Sequence, residues 1–172
     1  CKKYIPVRDV STVQWAMREA YRTAKTGRPG PVVVDFYRDV IEEQKGEYVW
    51  EDPQSYCVMP ECVATDESIE TAKQVIKAHK KICLWIGNGV KIAKASEEVK
   101  ELSRILNAPV VCTYNGIGAV ESEFENLVGP RSRHGSKVTR AAIEEAECVV
   151  VIGSTLTAIS TNRWDIKAKN VV

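Results

Sequence analysis

Three times between Ile82 and Gly153 the chain runs a compact apolar stretch into a turn of small or hydroxyl-bearing residues and then into a helical pattern. The first is Ile82-Cys83-Leu84-Trp85-Ile86, followed by Gly87-Asn88-Gly89. The second is Pro109-Val110-Val111-Cys112, followed by Thr113-Tyr114-Asn115-Gly116-Ile117-Gly118, and the third is Cys148-Val149-Val150-Val151-Ile152, followed by Gly153-Ser154-Thr155. Short apolar runs without alternation, bounded by turn residues and separated by helical periodicity, mark parallel strands buried on both faces. The pattern predicts an α/β fold with a doubly wound parallel sheet. In such sheets ligands bind at the carboxyl ends of the strands, and all three runs end in residues that let a ligand approach the backbone.

Upstream of the triplet, Val13, Ala16, Met17, Ala20, Tyr21 and Ala24 share one helical face, with Ser11 and Gln14 spaced as a capping box and Gly27 as the stop. A strand from Pro31 to Phe36 follows. Residues 41–66, rich in Glu and aromatics and carrying Pro53 and Pro60, hold no sustained period and read as an inter-domain connection. Three further helices are expected, with apolar faces at Ile69, Ala72, Val75 and Ile76, at Ala95, Val99, Leu102 and Leu106, and at Val138, Ala141, Ala142 and Ile143. The chain neither begins with Met nor ends past a strand signal at Asn170-Val171-Val172, so both ends read as cut.

With 24 Lys plus Arg against 23 Asp plus Glu, the formal net charge of +1 argues against a nucleic-acid surface or a basic membrane patch. No apolar run approaches the roughly 18–20 residues that span a bilayer, and Cys1-Lys2-Lys3-Tyr4-Ile5-Pro6 contains no signal-peptide core, so a cytoplasmic protein is expected. Of six cysteines, Cys83, Cys112 and Cys148 fall inside the expected strands as small buried hydrophobes. Cys57 and Cys62 lack a second Cys or His pair to complete a zinc site, and reduced structural thiols are the expectation.

Gly87-x-Gly89 with Ala93 resembles a dinucleotide fingerprint, although such a pair also serves a bare strand-to-helix turn. The acidic residue that holds a nicotinamide cofactor's ribose is missing, because the second strand ends in Cys112-Thr113-Tyr114-Asn115. Arg131, Arg133, His134 and Gly135 precede a helix start at Ser136, a placement that suits an anion as well as a solvated loop. His134 has no locally spaced nucleophile or carboxylate partner, and Glu121, Glu123 and Glu125, two apart, read as a solvated face.

The run Thr26-Gly27-Arg28-Pro29-Gly30-Pro31-Val32-Val33-Val34-Asp35-Phe36, closing on Arg38-Asp39-Val40, resembles the end of the pyrimidine-binding domain in thiamine-diphosphate-dependent enzymes of the acetolactate synthase and 2-oxo acid decarboxylase family. The turn Ile86-Gly87-Asn88-Gly89, the strand Pro109 to Thr113 with Gly116 and Gly118, and Ala146 to Gly153 are similar to that family's central, Rossmann-like domain in the same order. The resemblance implies the tail of the first domain at 1–40, a linker at 41–66 and a truncated central domain at 67–172. It implies a carboligase or decarboxylase acting on a small 2-oxo acid, with thiamine diphosphate and Mg held outside this segment and a homodimer or homotetramer of the full-length chain. No catalytic residue carries over.

For the central domain the resemblance implies a cofactor site lined by Gly87, Asn88, Gly89, Thr113, Asn115, Gly116, Gly118, Arg133, His134, Gly135, Gly153, Ser154 and Thr155, taking FAD or another adenine nucleotide. Flavin-binding members carry an Asp-Arg pair where this chain has Ala158-Ile159. A non-catalytic nucleotide-binding module of the same fold is the alternative reading.

Overall fold

The computed structural model describes residues 1–57, 63–131 and 135–172. They divide into two compact units, Cys1–Val63 and Ala64–Val172.

The first unit is a strand, a helix and a strand. Strands β1 (Lys3–Val7) and β2 (Val32–Phe36) pair in parallel from Lys3 opposite Val32 to Val7 opposite Phe36, and α1 (Val13–Lys25) connects them. Ile5 and Val7 pack with Ala16, Ala20 and Val40 over the half-buried Val32, Val34 and Phe36. Met17 and Tyr21, expected on this face, are about half exposed at 51% and 43%, outside the stripe that Ala16 and Ala20 bury against β1 and β2. The capping box does not form. The Asp9 carboxylate accepts the Ser11 N–H at 2.8 Å and caps a 3-10 turn leading into α1, while Gln14 donates its Nε2 to the Val49 carbonyl at 2.8 Å. An anionic acceptor two residues upstream outcompetes the Ser11 hydroxyl for the free N–H groups. Gly27, in the left-handed region at φ +59°, ends the helix as expected.

The stretch read as a linker contains two short helices, α2 (Arg38–Glu42) and α3 (Pro53–Tyr56). Val10 donates its N–H to Gln44 Oε1 at 2.8 Å and Arg18 pairs with Glu51 at 2.5 Å, which ties this segment to the start and outer face of α1. Cys62 lies outside the described residues.

The second unit opens with α4 (Asp66–Lys77), whose first turn is capped by the Thr65 hydroxyl. It continues through β3 (Ile82–Ile86), α5 (Asn88–Ala93), α6 (Ser96–Leu106), β4 (Val110–Cys112), β5 (Leu127–Pro130), α7 (Lys137–Glu144), β6 (Cys148–Ile152) and β7 (Asn170–Val171). All pairings are parallel, in the order β5-β4-β3-β6-β7. The chain therefore builds outward from β3 to one edge, then crosses back and builds from β6 to the other, which is the doubly wound arrangement.

Every residue of β3 is buried. Ile82, Leu84 and Ile86 face Val90, Val99 and the half-buried Val75 and Ile76, whereas Cys83 and Trp85 share the opposite core with Val111, Ile143, Ala146 and Val149. The indole Nε1 of Trp85 has no hydrogen-bond partner among the described residues. An unpaired buried donor of this kind costs about 1–3 kcal/mol. Cys83, Cys112 and Cys148 are free and buried, and burial pushes the Cys83 thiol up to about 12.

Two helices depart from the sequence reading. Val138 is exposed, and Thr139 takes the inward position with Ile143, since the Ser136 cap on the Thr139 N–H sets the phase of α7. The helix expected after the first strand is two, α5 and α6, divided where Lys94 turns left-handed at φ 55°. Glu121 and Glu125 pair with Lys100 and Arg104 on the exposed face, as their spacing suggests.

Candidate functional site at the carboxyl ends of the strands

The reversal of strand order falls between β3 and β6, so the crevice expected for a ligand lies where Gly87-Asn88-Gly89 faces Gly153-Ser154-Thr155. The two turns are in close backbone contact. Gly87 donates its N–H to the Ile152 carbonyl at 2.9 Å, and Gly89 donates its own to the Gly153 carbonyl at 2.8 Å. A Cβ on Gly87 would stand 2.3 Å from the Gly153 carbonyl oxygen, and one on Gly89 would stand 2.6 Å from the Gly153 Cα. Gly153, left-handed at φ +61°, would in turn drive a Cβ to 2.6 Å from the Val90 nitrogen.

These three glycines therefore have a packing reason of their own. The fingerprint geometry expects the second glycine to leave room for a pyrophosphate at a helix start. Here the Gly153 backbone occupies that space and takes the Gly89 N–H. A dinucleotide's pyrophosphate does not fit between Gly89 and Gly153 in this arrangement.

The loop after β4 meets the same place from the other side. Thr113 donates its N–H to the Ile86 carbonyl at 2.9 Å, and its hydroxyl accepts the Gly116 N–H at 3.1 Å, folding Tyr114–Gly116 into a 3-10 turn. A Cβ on Gly116 would lie 2.8 Å from the Ile86 carbonyl oxygen, so this glycine also answers to packing. Gly118 differs. It is left-handed at φ +78° with nothing within 4 Å of a notional Cβ, facing open space at the rim. Lys91 of α5 reaches over to donate to the Ile117 carbonyl at 3.2 Å and holds this loop against the first turn.

Of the polar groups proposed from sequence, Thr113 is buried and spent on its own turn, and Ser154 accepts the Leu156 N–H at 3.1 Å. Asn88, Asn115 and Thr155 are exposed at the strand ends, and Gly135 is half-buried just ahead of the Ser136 cap. Arg133 and His134 lie outside the described residues. Arg131 is buried after β5, with its N–H donated to the Cys112 carbonyl at 2.7 Å. Burial pushes the Cys112 thiol up, against its own backbone N–H and the Lys91 charge, so it is a poor nucleophile beneath the site. Among the described residues near these loops, Lys91 is a group that sequence reasoning passed over. Its spacing, four residues past Gly87 on an expected helix, is the signal that was available.

Comparison with known proteins agrees with this architecture. Residues 69–172 match the family model described as thiamine pyrophosphate enzyme, central domain. The chain is 32% identical over 138 residues to the acetolactate synthase isozyme 2 large subunit of Escherichia coli, covering 80% of this chain and 24% of that protein. It is 29% identical over 160 residues to the isozyme 3 large subunit of the same organism, covering 91% and 28%. It is 32% identical over 151 residues to the acetolactate synthase large subunit of Corynebacterium glutamicum, covering 86% and 24%. The chain thus spans about a quarter of the length of the curated relatives it matches. The parallel sheet wound outward from β3, the turns meeting at its switch point and the match over 69–172 together place this chain in the thiamine pyrophosphate enzyme family, with residues 69–172 matching its central domain.

Proposed function

We propose that this chain is part of a thiamine-diphosphate-dependent enzyme that acts on a small 2-oxo acid, as an acetolactate synthase-like carboligase or a decarboxylase. The observation that carries the reading is that acetolactate synthase large subunits align across both units and not the central domain alone, covering 86–91% of the chain in two of them. On this reading residues 1–40 close the pyrimidine-binding domain, 41–66 connect and 67–172 form the central domain. Thiamine diphosphate, with Mg, would supply a carbanion equivalent that lets a 2-oxo acid lose carbon dioxide, and the residues holding it would belong to parts of the protein outside this segment. The protein is cytoplasmic and acts as a homodimer or homotetramer.

The central domain's own contribution is a scaffold with a polar rim. An FAD or adenine nucleotide would lie across Asn88, Asn115, Gly118 and Thr155, with Gly135, just ahead of α7, toward its phosphates. The packed Gly89 and Gly153 pair would support that rim from below rather than admit the pyrophosphate.

The test uses the full-length protein with thiamine diphosphate, magnesium and pyruvate. Carbon dioxide release with a coupled acetohydroxy acid product supports the carboligase, and release with an aldehyde product supports the decarboxylase. A folded full-length protein that releases no carbon dioxide from pyruvate or other 2-oxo acids, yet gains melting temperature with adenine nucleotides, overturns the enzyme reading in favour of a binding module. The segment alone is expected to show no turnover.

A further inference from the structure

His79, just past the carboxyl end of α4, ties three elements together at the amino-terminal edge of the sheet, opposite the candidate site. Its Nδ1 lies 2.7 Å from the Val75 carbonyl oxygen, and its Nε2 lies 2.8 Å from Nδ2 of Asn170, the first residue of β7. The same Asn170 nitrogen lies 3.3 Å from the carbonyl oxygen of Glu147, immediately before β6. A carbonyl only accepts, so the proton sits on Nδ1, which donates to Val75; an amide nitrogen only donates, so Nε2 accepts from Asn170. Both amide hydrogens are then used, one toward His79 and one toward Glu147, and the ring is neutral.

A second proton on the ring has no place in this arrangement. The new Nε2–H would point at the Asn170 N–H, and turning the amide over would set its Oδ1 against the Glu147 carbonyl oxygen. We propose that His79 and Asn170 form an acid-sensitive latch that holds the start of β7 against β6 while the imidazole is neutral and loosens it when the imidazole is protonated. The latch sits at the amino end of β7. There Asn170 pairs with Cys148 and Val171 with Val149, with flanking bonds from the Val172 N–H to the Val149 carbonyl at 3.0 Å and from the Val151 N–H to the Val172 carbonyl at 2.7 Å.

The surrounding charges pull in both directions. The Glu147 carboxylate accepts the N–H groups of Lys80 and Lys81 at 2.8 and 3.3 Å, bonds that hold it below the usual carboxylate range, and its negative charge favours a proton on His79. The cations of Lys77 at the end of α4, of Lys80 and Lys81 before β3, and of Lys169 before β7 oppose one. The donor and acceptor order decides the sign. The latched state holds one ring proton and the released state takes two, so acid favours release.

Hydrogen exchange on the full-length protein tests this, comparing protection at 170–172 with protection at 82–86 in the same sample, at about pH 7.5 and about pH 5.5. The ratio is expected to fall about fivefold on acidification, the equivalent of one ordinary hydrogen bond. His79→Gln keeps an acceptor for Asn170 but gains no proton, and it should make the ratio independent of pH. Asn170→Asp supplies a carboxylate for the imidazolium, and it should reverse the trend. A ratio that stays flat in the unmodified protein, or that falls equally in His79→Gln, overturns the latch.

Discussion

The two units handle the same structural problem differently. In the second unit β3 is covered on both faces, by α4 to α6 on one side and α7 on the other, and none of its five residues is exposed. In the first unit the parallel pair β1 and β2 is covered on one face only. Ile5 and Val7 are buried against α1, whereas Tyr4 and Val33 on the reverse face are 54% and 45% exposed, with the Tyr4 hydroxyl bonded to Asp35. Parallel sheets draw their stability from helices on both faces, and two strands with one helix bury too little to match a five-stranded core. The comparison separates a region whose central strand is buried on both faces from one whose strands are buried on a single face within this chain.

The largest expected effect tests that contrast directly. Leu84→Ala empties a fully buried position and should cost about 2–5 kcal/mol, while Val33→Ala on the open face of β2 should cost less than about 0.5 kcal/mol. Urea titration of the full-length protein, read by hydrogen exchange at peptides of each unit, measures both. Similar losses would mean that the reverse face of β2 is covered in the full-length protein and that the asymmetry belongs to this chain alone.

A second, smaller contrast sharpens the account of the site. Gly89→Ala should destabilise the second unit by about 3 kcal/mol through overlap with Gly153, despite the roughly 1 kcal/mol that Ala gains over Gly within a helix. Gly118→Ala meets only backbone strain and should cost about 1 kcal/mol. If Gly89→Ala melts like the unmodified protein, the two turns are not in contact and the crevice between them is open to a pyrophosphate.

The smallest effect belongs to the first unit. Hydrogen bonds from Lys3 at 2.7 Å and Arg22 at 2.5 Å hold the Glu19 carboxyl down from 4.5 to about 2. Because the folded value is the lower one, this contribution is fully present above about pH 4.5 and disappears as the pH falls toward 2. Lys3→Met should move the acid loosening of the first unit to higher pH, as followed by exchange at residues 3–7. An unchanged acid profile would show that the pair is screened out by solvent.

Strands buried on both faces were readable from the sequence because no alternation is needed to recognise them. Ile82 to Ile86 and Cys148 to Ile152 lie where their composition put them. Strand β1 was missed because Lys3 and Pro6 interrupt a run buried only at Ile5 and Val7, a signal too short to separate from a loop. Strand β5 was missed for a similar reason, since Gly129 and Pro130 read as turn residues. Gly129 sits at φ +119° at a register shift opposite Val111, and that irregularity is a property of the pairing rather than of the peptide.

The site divides in the same way. Local sequence marked Gly87, Gly89, Gly116 and Gly153 as positions where a backbone comes close, because only a missing side chain permits such an approach. It could not say which backbone. Segments more than sixty residues apart meet only once β3 and β6 lie side by side, and that pairing makes Gly153 the neighbour of Gly87 and Gly89. The same holds for His79, Glu147 and Asn170, which carry no shared motif and meet because three chain segments begin their strands at one edge. Composition and period determined the parallel class, the strand positions and the glycine turns, since these depend on near neighbours. Strand order decided what those turns touch, since contacts between distant segments follow from how the sheet is wound.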